Sequence, residues 1–299
     1  MSKPVFGRMV TAMVTPFGAD LEVDYDRAAE LARKLVSDGN DCLVVAGTTG
    51  ESPTLTREEK LTLFSTVKQA VGKNVQVIAG TGSNSTKATV ELSQAAERAG
   101  ADGLLLVAPY YNKPPQEGLY RHFKSVAEAC SLPIMLYNIP GRTGIEISPE
   151  VLARLAELPT VVAVKQSLPG LEPISDLLVR LQGRELAVYS GDDASTLPIL
   201  ALGGVGVVSV AGHIAARPMK EMIEHFFQGR VREAQQVHQR LYPIFTGLFR
   251  ATNPILVKAA LKRLGFPVGG VRLPLVDASP EQEARLTEAL AESDLLAHA

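Results

Sequence analysis

The feature that most restricts the fold is an alternation. Short apolar runs recur along the chain, and each ends in small or polar residues and is followed by a segment of helical spacing. The first four runs are MVTAMVTP from Met9, DCLVVAGTTG from Asp41, VQVIAGTG from Val75 and GLLLVAPYY from Gly103. The others are PIMLYNIP from Pro133, VVAVKQ from Val161, LAVYSGDD from Leu186 and GVVSVAGH from Gly206. Continuous runs rich in Val, Ile and Leu suit parallel strands covered on both faces. Between them, Ala28, Leu31, Ala32 and Leu35 share one helical face. So do Leu61, Phe64, Val67 and Val71, and likewise Leu119, Phe123 and Val126. Start signals agree: Thr56 and Glu59 have capping-box spacing, and Pro149 stands at the first helical position after Ser148.

Eight such units between residues 8 and 228 predict an α/β fold, a (β/α)8 TIM barrel. A doubly wound open sheet usually has fewer strands and a glycine fingerprint at its first turn, which TPFGAD lacks. Beyond residue 228 strand signals stop. Helices are predicted over 230–248, 253–264 and 280–296, the last opened by Ser279-Pro280-Glu281-Gln282. The expected organisation is a catalytic barrel domain, 1–228, and a small C-terminal α-helical domain, 229–299. A chain of 299 residues has room for both, because such barrels run to about 250 residues.

The charges nearly balance, with 30 Lys and Arg against 32 Asp and Glu, and no long block has one sign. Nucleic-acid binding and polybasic membrane binding need a concentrated positive field, so neither is expected. No run reaches the roughly eighteen apolar residues of a membrane span, and MSKPVFGRMV does not read as a signal peptide. Cys42 and Cys130, without a CxxC spacing, fit a reducing cytoplasm. The five histidines are scattered, and no metal site or cofactor is expected.

Barrel enzymes keep their chemistry on the loops after the strands. Here those loops are rich in hydroxyls, lack histidine at the first seven strand ends and hold few carboxylates. That disfavours paired-carboxylate glycosidase chemistry and di-metal hydrolysis. Lys165 is the sharpest feature, since it follows Val161-Val162-Ala163-Val164. A lysine with its stem in a barrel interior is desolvated, which favours the neutral amine, and the neutral amine attacks carbonyls to form Schiff bases. The competing possibility is a lysine that snorkels to solvent.

Tyr137 and Arg142 lie in LYNIPGRTG. Arginine presents a planar fork that grips a carboxylate, although a satisfied core tyrosine and a solvated arginine fit the pattern too. Gly47-Thr48-Thr49-Gly50-Glu51 offers N–H and O–H donors suited to an anion, or is an ordinary strand-to-helix turn. With GTG at 80–82 and GGVG at 203–206, it leaves a phosphate- or flavin-binding barrel, or a non-catalytic binding barrel, as alternatives.

Several segments together resemble the dihydrodipicolinate synthase/N-acetylneuraminate lyase family of class I aldolase-type barrels. They are GTTGESPTL at 47–55, PYYNKPPQEGLYRHF at 109–123, YNIPGRTG at 137–144, Lys165, SGDD at 190–193 and GVVSV at 206–210. They occur in the family's order, and NPILVKAALKRLG at 253–265 extends the likeness into the C-terminal domain. The resemblance implies that Lys165 forms a Schiff base with pyruvate and that Tyr137 is the acid/base beside the imine. It implies that Thr49 links Tyr137 to Tyr111 in a hydroxyl relay, with Tyr111 reaching in from a neighbouring subunit. A homodimer contact, usually within a homotetramer, follows. Thr48 and Thr49 resemble the pyruvate carboxylate site, Gly191 in SGDD matches a substrate-binding position, and the main chain of Val208 matches a contact beside the lysine.

Arg142 and Thr143 resemble the synthase branch, where the arginine holds the carboxylate of L-aspartate 4-semialdehyde. That implies condensation with pyruvate to 4-hydroxy-tetrahydrodipicolinate, on the route to diaminopimelate and lysine. The sibling activity is a pyruvate-dependent aldolase for 2-keto-3-deoxy sugar acids or N-acetylneuraminate, whose members generally lack that arginine. One departure stands out: synthases commonly follow the lysine with an acidic and then a small residue, and here Gln166-Ser167-Leu168-Pro169 follows. A second concerns regulation. Lysine-inhibited synthases often carry His at the positions of Arg57 and Lys60 and Glu at that of Ala88, though Asn84 matches. Weak or absent lysine feedback is expected.

Overall fold

The computed structural model describes residues 4–181 and 183–296. All eight apolar runs are strands: β1 (Met9–Ala12), β2 (Cys42–Val45), β3 (Gln76–Gly80), β4 (Gly103–Val107), β5 (Ile134–Asn138), β6 (Val161–Gln166), β7 (Ala187–Ser190) and β8 (Gly206–Ser209). They are parallel and close in chain order into one barrel, β8 pairing with β1 from Met9 opposite Val207 to Thr11 opposite Ser209. Closure leaves no edge strand unpaired.

Helices follow the strands: α1 (Tyr25–Ser37), α2 (Arg57–Val71), α3 (Thr86–Arg98), α4 (Gln116–Ala129), the single turn α5 (Pro140–Thr143), α6 (Pro149–Leu155), α7 (Glu172–Leu181), α8 (Thr196–Leu202) and α9 (Gly212–Phe227). The capping box of Thr56 and Glu59 forms, and Ser148 caps α6 by accepting from the Val151 N–H. In α2 the buried face is Leu63, Phe64 and Val67, so the expected face rotates away from Leu61 and Val71, which are only half-buried.

The C-terminal segment forms α10 (Val231–Gly247), α11 (Ile255–Arg263) and α12 (Pro280–Glu292), and the boundary expected after 228 falls between α9 and α10. The helix predicted over 280–296 stops at Glu292. Ser293 there turns its hydroxyl to the Ile244 N–H, and Asp294 takes a left-handed backbone at φ 57°. Among the described residues no helix is long and apolar enough to cross a membrane.

Period-two alternation divides the strand side chains between two cores. Val10, Val44, Ile78, Leu105, Met135, Ala163, Tyr189 and Val208 fill the barrel interior. Leu43, Val77, Leu104, Leu136, Val164 and Val207 face outward into an apolar layer shared with the helices. That outer layer continues without a break to Leu241, Phe245, Leu261 and Leu290, so α10 to α12 pack against the barrel through one apolar cluster.

One irregularity decides what enters the barrel. Ile134 pairs with Val161, but Met135 pairs with Ala163, so Val162 is an extra residue in β6. Such a bulge places two successive residues on one face and resets the alternation. Val161 and Val164 therefore face the helices, while Val162 and Ala163 pack against the interior. Lys165 inherits the parity of Ala163, standing in register between Tyr137 on β5 and Tyr189 on β7.

Candidate active site

Lys165 is 4% exposed and does not snorkel. Its Nζ lies 4.3 Å from the centroid of the Tyr137 ring, and among the described residues it has no ion-pair or hydrogen-bond partner. A cavity of about 930 Å³ opens over it at the C-terminal mouth of the barrel. Thr48, Thr49, Tyr137, Arg142, Lys165 and Gly191 all line that cavity. Arg142 is carried on α5, which closes on Gly144 at φ 71°, and its guanidinium is exposed. Gly191 has a steric reason to be glycine. A Cβ there would stand 2.9 Å from the Cε of Lys165 and 2.1 Å from the Ser167 hydroxyl, so a side chain would claim the lysine's space.

Two expected residues do not line this cavity. Tyr111 is 89% exposed at φ 74° and lies outside the cavity, so within one chain Thr49 and Tyr111 are not linked. Its neighbour Tyr110 lines an adjoining cavity of about 450 Å³, with Lys60, Ala88 and Thr48. The Val208 side chain is fully buried in the barrel interior, so what it can offer the site is its main chain, while Val210 lines the mouth.

Most other strand-end polar groups are occupied structurally. Thr15 donates to the Gly50 carbonyl, and the Thr81 and Ser93 hydroxyls pair with each other. Ser209 and the Ala211 N–H donate to Asp193, whose carboxyl burial pushes up to about 6. His213 is neutral by its bonding: the Val14 N–H donates to its Nε2, leaving Nδ1 to donate to the Val210 carbonyl. Burial pushes this imidazole down to about 4. Gln166, where an acid is common, accepts from the Asn138 amide, which also donates to the Ile147 carbonyl. A neutral amide pair thus stands where the charge would be, next to the lysine in β6.

The loop bearing Thr48 and Thr49 is bracketed by left-handed residues, Ala46 at φ 53° and Glu51 at φ 56°. Such conformations cost on the order of 1–3 kcal/mol and persist where the surroundings over-determine them. The clamp comes from the C-terminal segment. Lys258 pairs with Glu51 at 2.7 Å with both side chains buried, and the Arg272 N–H donates to the same carboxylate. Glu51 therefore fixes the loop and is not free for chemistry.

Sequence reasoning missed Asn253. Its Nδ2 donates to the Thr49 hydroxyl at 2.9 Å, and its carbonyl lies 3.5 Å from Nη2 of Arg142. The segment Phe249–Asn253 walls one side of the large cavity. The signal was present in NPILVK, but nothing in one sequence says that this stretch returns to the barrel mouth.

Comparison with known proteins agrees over nearly the whole chain. The model of the "Dihydrodipicolinate synthetase family" matches residues 5–293. The 4-hydroxy-tetrahydrodipicolinate synthase of Heliobacterium modesticaldum is 58% identical over 283 residues, 95% of this chain and 94% of that protein. The synthase of the same name from Symbiobacterium thermophilum is 55% identical, covering 98% of this chain and 100% of its own length. The crystal structure of the Cyanidioschyzon merolae enzyme with lysine bound superposes with a TM-score of 0.94 at 48% identity, covering 98% of this chain and 100% of that one.

Proposed function

This chain belongs to the dihydrodipicolinate synthetase family, and from that premise we infer how its own residues carry out the family's chemistry. The chain is a lyase of class I aldolase type that condenses pyruvate with L-aspartate 4-semialdehyde through a Schiff base, in lysine and diaminopimelate biosynthesis. The observation that carries the assignment of residues is Lys165, buried and, among the described residues, without an ion-pair partner, lining the large mouth cavity with Tyr137 beside it.

The free amine of Lys165 attacks the ketone of pyruvate, and water leaves to give the imine. Thr48 and Thr49 hold the pyruvate carboxylate with hydroxyl and main-chain donors. The imine draws electrons from the methyl group, whose proton passes to Tyr137, and an enamine results. Positioned proton transfer of this kind contributes about 10²- to 10⁴-fold in rate. The enamine carbon attacks the aldehyde while Arg142 grips the carboxylate at the other end of the semialdehyde. The substrate amine then attacks the imine carbon, closing the ring and releasing Lys165. Gly191 leaves the room these species need, and the main chain of Val208 lines the approach to the amine.

The exposed, left-handed Tyr111 supports an assembly in which it completes the relay of a neighbouring subunit, in a homodimer or a tetramer built from it. Cys42 and Cys130, both free and buried, suit a reducing compartment, here the cytoplasm. The test is reduction with borohydride in the presence of pyruvate, followed by peptide mapping. The adduct is expected on Lys165 alone, and prior addition of the semialdehyde is expected to remove it where sugar aldehydes do not. An adduct elsewhere, or none, overturns the assignment.

A further inference from the structure

We propose that Ser167 is a further catalytic residue, whose hydroxyl carries a proton from the lysine nitrogen to the pyruvate oxygen as the carbinolamine forms. This rests on the Schiff-base role given to Lys165 above. Ser167 stands two residues past Lys165. Its N–H donates to the Asn138 carbonyl, which carries the β5–β6 ladder one step beyond Gln166. Residues two apart on extended backbone point the same way, so the serine follows the lysine on the inward side. It lines the same mouth cavity. The point that a Gly191 Cβ would occupy is 2.1 Å from the Ser167 hydroxyl and 2.9 Å from Lys165 Cε. Both therefore border one small gap, and the hydroxyl stands beside the carbon that bears the amine.

The Ser167 hydroxyl is buried and, among the described residues, has no hydrogen-bond partner. Neighbouring strand-end serines are engaged: Ser190 donates to the Asp192 carbonyl, and Ser209 donates to Asp193. Packing alone does not explain a buried hydroxyl left unpaired, since alanine would fill the position without it. The orphan keeps one proton to give and lone pairs to receive another. Tyr137 meets the amine with its ring, whose centroid is 4.3 Å from Nζ, and its hydroxyl serves the later methyl proton transfer.

The step balances within three groups. The neutral amine of Lys165 attacks C2 of pyruvate, the N–C bond forms, and the carbonyl π pair moves onto oxygen. A positive nitrogen and an alkoxide then stand on the same carbon. Ser167 gives its hydroxyl proton to the alkoxide and takes a proton from the nitrogen. The serine is restored, the carbinolamine is neutral, and no outside acid or base is consumed.

Ser167→Ala removes the hydroxyl and keeps the backbone bond to Asn138. A shuttle lowers the barrier in both directions and leaves the equilibrium alone. Borohydride quenching at successive times after mixing with pyruvate reads the approach to the imine. Quenching after equilibration, over a range of pyruvate concentrations, reads the equilibrium. In Ser167→Ala the approach is expected to slow about three- to ten-fold at every pyruvate concentration, the scale of one neutral hydrogen bond. Half-saturating pyruvate and the final stoichiometry on Lys165 are expected to match wild type. The thermal midpoint is expected to be equal or higher, because an orphaned hydroxyl has gone. An approach within two-fold of wild type overturns the proposal. So does a rise in half-saturating pyruvate that matches the slowing, which makes the serine a pyruvate-binding group. A lower midpoint with incomplete trapping assigns the hydroxyl to the fold and overturns it too. Wild-type protein that traps no pyruvate overturns the functional assignment instead.

Discussion

Lys165 and Arg142 divide the reaction between a buried group and an exposed one, and the division can be measured. Among the described residues the Arg142 side chain makes no hydrogen bond to Lys165, Thr48 or Thr49, and it is exposed at the wall of the cavity they share. Arg142→Ala should leave borohydride trapping of pyruvate unchanged. A charge-assisted hydrogen-bonded contact is worth about 1.5–3 kcal/mol, so kcat/KM for the semialdehyde should fall roughly ten- to hundred-fold. Steady-state kinetics with each substrate varied in turn separates the two effects, and an equal loss on the pyruvate side would refute the assignment. The adjoining cavity makes a second residue-scale prediction. Lys60 lines it, and Ala88 offers no carboxylate. A cationic effector meets a cation there, so sub-millimolar lysine should leave the rate unaltered, although the Cyanidioschyzon merolae relative was crystallised with lysine. A clear drop in an initial-rate assay would count against it.

At the level of elements, α9 carries a histidine that joins the two ends of the barrel seam. His213 accepts from Val14 after β1 and donates to Val210 after β8. Its native pKa is near 4 because of burial, against about 6.5 in the unfolded chain. A depressed histidine contributes fully above the unfolded value. Its contribution is lost as pH falls from about 6.5 toward 4, because only the unfolded state takes the proton in that window. The loss is on the order of 3 kcal/mol for this fully buried ring. Asp193, raised to about 6, titrates in the opposite sense over the same range, so the informative quantity is a difference. The stability of His213→Gln relative to the parent should improve steadily from pH 6.5 to pH 4 in denaturant titrations; parallel curves would dismiss the histidine's part.

The same scale shows what the sequence could tell. All eight strands, the cap of α2 and the inward lysine's neighbours were legible, because continuous apolar runs and capping residues are local signals. The bulge at Val162 was not. Strict alternation from the outward Val161 would point Lys165 at the helices, and only the pairing with β5 reveals the extra residue. Gly191 was placed by likeness, but its reason is the lysine stem of the neighbouring strand, a contact between distant residues. Asn253 was missed for the same cause, since its partner Thr49 lies 204 positions away.

For the whole molecule, the C-terminal helices act as a clamp on the barrel mouth more than as a separate body. Arg272 reaches Glu59 on α2, and Lys258 reaches Glu51, so the same segment that supplies Asn253 also holds the strained loop of Thr48 and Thr49. Breaking a buried pair such as Lys258–Glu51 from one side costs about 3–5 kcal/mol, so the loop's shape depends on the segment being docked. Tyr111 makes the complementary point outward: its own chain leaves this large aromatic 89% exposed at φ 74°. If it completes a neighbour's site, two inactive proteins should repair each other. Lys165→Met lacks the amine but still lends Tyr111; Tyr111→Phe keeps the amine but lends no hydroxyl. In a mixed dimer the subunit with the lysine receives an intact tyrosine from the other, so one of the two sites is whole. Equal co-expression with random pairing should therefore restore about a quarter of wild-type activity per subunit. Activity no greater than the sum of the two variants assayed apart would mean that each subunit works with its own residues, and that the exposed tyrosine serves something other than the relay.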